Sequence, residues 1–78
     1  MSEVAAFVVD TLSAYARDKG DAVTPQTRLD ALGMDSLDTL EAVMKIEDRY
    51  AVEIDPGEFS ACASIADVVD IVARAVEA

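Results

Sequence analysis

The 78 residues suffice for one small domain, residues 1–78, and leave no material for a second core. An apolar fraction of 53%, with only two tyrosines and two phenylalanines, describes a compact fold of small side chains rather than disorder. The formal net charge of −10 makes nucleic acid and anionic membrane surfaces poor partners, and basic protein surfaces good ones.

The chain opens with apolar residues at Val4, Phe7, Val8, Leu12 and Tyr15, a spacing of three and four that predicts a helix from Ser2 to about Arg17. Gly20 is placed to close it. Glu3 and Asp10 interrupt the apolar start, so the segment does not read as a signal peptide. From Asp18 to Asp35 no periodicity is sustained, and Gly20, Pro25 and Gly33 punctuate the stretch. A loop of that length in a compact domain is uncommon unless it has a function. Its apolar residues Val23, Leu29, Leu32 and Met34 are expected to pack over the helices.

A second helix is predicted from Ser36 to about Tyr50, with Thr39, Leu40, Val43, Ile46 and Tyr50 as its core stripe. In "DPGEFSAC", Asp55 to Cys62, Asp55 is placed to cap, Pro56 suits a first helical position and Glu58 a capping-box acid, which predicts one or two helical turns. Ser64 and Asp67 give a similar start to a last helix, Ile65 to Val76, whose valines require packing to stay helical. Nothing alternates as a strand. The predicted fold is all-α: a small four-helix bundle with a long first loop and a short third helix.

The candidate chemistry lies in "LGMDSLDTLEAV", Leu32 to Val43. Ser36 as a nucleophile would need a base, and the chain contains no histidine. The surroundings are not a G-x-S-x-G elbow either, and Lys19 and Lys45 form no obvious serine–lysine arrangement, so no catalytic residue is assigned. On the residues alone, an ordinary helix start is the better reading, with Asp35 as N-cap and Asp38 completing a capping box. A phosphate ester on Ser36 would also be accommodated, at the positive end of the helix dipole. Kinase phosphorylation fits the same local chemistry.

Asp38, Glu41, Lys45 and Asp48 fall on one side of the second helix, and Leu37 and Met44 on the flank beside it. A solvated face accounts for the acids, with Lys45 pairing to Glu41 at i,i+4. A docking surface for basic partners accounts for acids and apolar flank together. Cys62 reads as a buried small hydrophobe, and with no histidine and no second cysteine no metal site is assigned. The lone cysteine cannot form an internal disulfide, which fits a reducing, cytoplasmic setting. No apolar run approaches the roughly 20 residues of a membrane span, so no stable membrane insertion is expected.

"TRLDALGMDSLDTLEAVMKIEDRY", Thr27 to Tyr50, resembles the signature region of the acyl carrier proteins. The D-S-L core, the leucine–glycine pair before it and the acidic helix after it carry the resemblance, which extends in layout over essentially the whole chain. It implies a monomeric carrier without catalysis of its own, modified with 4′-phosphopantetheine at Ser36 by a phosphopantetheinyl transferase that uses coenzyme A and magnesium. The group's thiol would hold acyl or polyketide intermediates. Basic-surfaced acyl-loading, condensing and modifying enzymes would recognise Asp35, Leu37, Asp38, Glu41, Met44, Glu47 and Asp48. Leu40, Val43, Ile54, Phe59 and Cys62 are the expected lining of a cavity for the cargo. A third segment poor in acids, with Gly57 and Cys62, and the basic Lys45 and Arg49 lean towards a discrete carrier of a specialised fatty-acid or polyketide pathway. A peptidyl carrier and an unmodified acidic interaction module are the alternatives.

Overall fold

The computed structural model describes residues 2–17 and 23–77. Four α-helices are found among them: α1 Glu3–Tyr15, α2 Ser36–Tyr50, α3 Pro56–Ser60 and α4 Ile65–Glu77. The all-α architecture predicted from the sequence is the one observed.

Each helix starts where its residues can satisfy the free N–H groups of a first turn. The Ser2 hydroxyl accepts from the Ala5 N–H at 3.1 Å and caps α1. At α3 the Asp55 carboxylate accepts from the Gly57 N–H at 2.8 Å, with Pro56 at the first position. Glu58 makes no reciprocal cap bond there. Asp67 closes the start of α4 by accepting from the N–H groups of Ala63 and Ser64 at 2.9 and 3.1 Å. α2 ends at Ala51, which takes a left-handed conformation (φ 54°) and donates its N–H to the Glu47 carbonyl.

α1 ends two residues earlier than the periodicity predicts. Ala16 turns extended, and the Arg17 N–H donates to the Leu32 carbonyl at 2.9 Å instead of continuing the helix. Gly20, expected as the terminator, lies outside the described residues, as does Lys19. The loop carries a 3₁₀ turn, Leu29–Leu32, too short for any periodicity to reveal, and Gly33 leaves it with φ 69°. Between Pro25 and Leu29 the loop is stitched to the α3–α4 connection and the first residues of α4: Leu29 N–H to Ala63 carbonyl, Ile65 N–H to Thr27 carbonyl and Ala66 N–H to Pro25 carbonyl. Arg28 and Ser64 form an isolated antiparallel bridge within this seam.

The core gathers aliphatic residues from α1, the loop, α2 and α4. Val8 and Leu12 of α1, Leu32 of the loop, Ile46 of α2 and Ile65, Val68 and Val72 of α4 are essentially inaccessible to water. α1 lies between α2 and α4, packing on both, while α3 rests on α4. The expected stripe of α2 is corrected in two places. Ala42 and Ile46 are its fully buried residues, whereas Leu40 is 55% exposed. α1 approaches closely enough that the alanine fills the inward position, and Leu40 is rotated towards the surface.

Candidate functional site at the start of α2

Gly33, in its left-handed turn, redirects the chain from the buried Leu32 to Asp35. Asp35 then forms a full capping box: its Oδ1 accepts from the Asp38 N–H at 2.8 Å, and Asp38 Oδ2 accepts from the Asp35 N–H at 3.3 Å. Ser36 is thereby fixed as the first residue of α2, with its side chain exposed. No hydrogen bond engages its hydroxyl among the described residues, so the oxygen is available to react.

An open cleft of about 450 Å³ begins beside it. Asp35, Ser36 and Thr39 form the polar mouth, and Leu40, Val43, Ile54 and Phe59 are among its apolar walls. Four of the five residues expected to line a cavity are therefore brought together next to Ser36. Cys62 borders a second cleft of about 380 Å³ that shares Met34, Thr39, Phe59 and Ser60 with the first. Its half-buried thiol donates to the Glu58 carbonyl at 3.4 Å, and burial pushes its pKa up, which keeps it a protonated, unreactive side chain.

The expected recognition residues divide into two groups. Leu37 and Met44 are 62% and 51% exposed, and with Leu40 they give α2 a projecting apolar face. Glu41 and Asp48 stand exposed along it. Asp35, Asp38 and Glu47 are instead held by internal partners. Glu47 accepts from the Ile54 N–H at 2.8 Å and is half-buried. Arg17 reaches across from the end of α1, with Nε 2.6 Å from Asp38 Oδ2 and Nη2 3.2 Å from Asp35 Oδ2. The guanidinium bond holds the Asp38 carboxyl below the usual carboxylate range, and the same carboxylate holds Arg17 charged. Lys45 does not pair with Glu41; it lies 5.8 Å from the centre of the Tyr15 ring. The Arg17 clamp is invisible to sequence reading because its partners lie 18 and 21 residues away.

The family model described as "Phosphopantetheine attachment site" matches residues 6–72. The acyl carrier protein of Campylobacter fetus is 39% identical over 71 residues, 90% of this chain and 87% of that one. The chain belongs to the acyl carrier protein family. The mitochondrial acyl carrier protein of Dictyostelium discoideum is 31% identical over 67 residues, 86% of this chain, and the aligned part is 56% of that relative's length. The crystal structure of the acyl carrier protein of Thermotoga maritima superposes with a TM-score of 0.72 at 30% identity, covering 92% of this chain and 85% of that one. The family is one of carriers rather than enzymes, and the prosthetic group of its attachment domain is phosphopantetheine. No helix among the described residues is long and apolar enough to cross a membrane.

Proposed function

We propose that Ser36 is the residue that bears 4′-phosphopantetheine, and that the chain presents acyl or polyketide intermediates to successive enzymes. The observation that carries this reading is the exposed, unengaged Ser36 hydroxyl at the mouth of an apolar cleft, on a helix start fixed by a capping box. The site fits the group: the start of α2 favours a phosphate ester against the opposing charge of Asp35, and the apolar walls of the cleft suit an alkyl chain of modest length. When bound, the group supplies a terminal thiol that holds cargo as a thioester.

The chain's own residues position and present. Asp35 and Asp38 hold the backbone around Ser36, and the helix dipole of α2 favours negative charge at that end. The base that takes the Ser36 proton comes from a phosphopantetheinyl transferase, because no basic side chain is bonded to Ser36 among the described residues. Leu37, Leu40 and Met44 offer apolar contact, and Glu41 and Asp48 steer basic-surfaced loading, condensing and modifying enzymes. Lys45 and Arg49 on α2, with Gly57 and Cys62 in the third segment, favour a specialised fatty-acid or polyketide pathway.

Intact-mass measurement after incubation with coenzyme A, magnesium and a broad-range transferase tests the proposal. A single phosphopantetheine adduct that disappears in Ser36→Ala is expected. A folded wild-type chain that takes no adduct from several transferases would overturn it.

A further inference from the structure

Arg17 sits where an incoming basic side chain would have to bind if it used the carboxylates nearest Ser36. Both oxygens of Asp35 are already engaged, Oδ1 by the Asp38 N–H and Oδ2 by Arg17. Asp38 is engaged more fully. Its Oδ2 takes Arg17 Nε and the Asp35 N–H, its Oδ1 lies 3.4 Å from Arg17 Nη2, and its side chain is only 15% exposed. The backbone of Arg17 is tied down as well, through its N–H to the Leu32 carbonyl. Arg17 is thus held both by its backbone N–H and by its guanidinium. Glu41 and Asp48, one and three turns further along α2, are exposed and pair with no cation among the described residues.

We propose that Arg17 is a specificity-determining residue: it supplies an internal counter-ion to Asp35 and Asp38, and so shifts the carboxylates open to a partner's lysine or arginine down the helix to Glu41 and Asp48. The inference rests on the Ser36 reading only for its consequence in loading, not for the electrostatics. A partner cation aimed at Asp35 must displace Arg17 Nη2 or share the carboxylate with it. A partner cation aimed at Glu41 or Asp48 displaces nothing. Arg17 is 63% exposed, so the competition it sets is modest, amounting to roughly a two- to fivefold weakening at Asp35, the range of a solvent-exposed ion pair.

The test uses the isotope-labelled full chain titrated with a tetra-arginine peptide at low salt, followed by amide resonances, for wild type, Arg17→Gln and Arg17→Lys. In wild type the Glu41 and Asp48 amides should respond at lower peptide concentration than those of Asp35 and Asp38. In Arg17→Gln the Asp35 and Asp38 amides should respond together with them, and Arg17→Lys should restore the wild-type order. In the loading assay, Arg17→Gln should lower KM for Ser36 modification by roughly two- to fivefold, the effect appearing in KM rather than kcat, as for removal of one exposed competing charge. An unchanged order of amide responses in Arg17→Gln, or a raised KM, would overturn the inference. The peptide titration needs no loading, so a chain that takes no adduct yet shows the reordered amides refutes the Ser36 reading and retains this one. Thermal melts of the variants establish that the fold is intact, and Arg17→Met, which also removes the cation bonded to Asp35 and Asp38, carries the test if Arg17→Gln is unfolded.

Discussion

Two serines in this chain stand at helix starts with an aspartate close behind, Ser36 of α2 and Ser64 before α4, and the structure treats them differently. Ser64 is half-buried, its N–H is taken by Asp67, and it faces Arg28 in a bridge that stitches the loop to the α3–α4 connection. Ser36 lies one position further into its helix, because Asp35 takes the capping role, and it is exposed beside an apolar cleft. The same local capping chemistry yields a structural seam in one place and an accessible hydroxyl in the other. Access is decided by what the long loop covers, and it covers α4's start, not α2's.

The largest expected effects concern the anchors beneath the two starts. Leu32 and Ile65 are both fully buried, and Leu32→Ala or Ile65→Ala should each cost about 2–5 kcal/mol in chemical denaturation. A cost below about 1 kcal/mol for Leu32→Ala would mean that the approach to Ser36 is not fixed by the core, and the comparison would break on that side. Next in size, Asp35→Ala removes the cap of α2 and should cost about 0.5–2 kcal/mol in the same measurement.

The smallest effect is electrostatic and separates the two aspartates. Asp38 is held below the usual carboxylate range mainly by Arg17, and Asp67 mainly by the N–H groups of Ala63 and Ser64. A lowered folded-state pKa means that each contributes stability at pH above the unfolded value of about 4, and that this is lost as pH falls through the folded value. Melting temperature should therefore fall with acidification below about pH 4 on account of both groups. NMR titration in high salt should raise the Asp38 midpoint, because its exposed guanidinium partner is screened, and leave that of Asp67 nearly in place. Equal salt responses would show that Arg17 is not the cause at Asp38.

Much of this was legible in the sequence where the signal was local. The bounds of α2 follow from Gly33, the Asp35–Asp38 box and a periodicity that runs to Tyr50, and the long loop's apolar residues pack as their chemistry requires. The signal failed where distant residues decide. Arg17 leaves the helix because Leu32 offers a carbonyl, and its side chain finds Asp35 and Asp38 only once the loop has folded back. Ala42 rather than Leu40 takes the inward position of α2, because a close approach of helices needs a small residue, which hydrophobic periodicity does not weigh. The 3₁₀ turn Leu29–Leu32 is shorter than any window in which a period can be recognised.

The most direct measurement of the central claim is localisation of the modification in the loaded chain by fragment-ion mass spectrometry. Five serines are available, Ser2, Ser13, Ser36, Ser60 and Ser64. The account predicts the phosphopantetheine group on Ser36 alone, with Ser64 unmodified despite its matching helix start. Modification at Ser64 or at any of the other three, with Ser36 free, would contradict it.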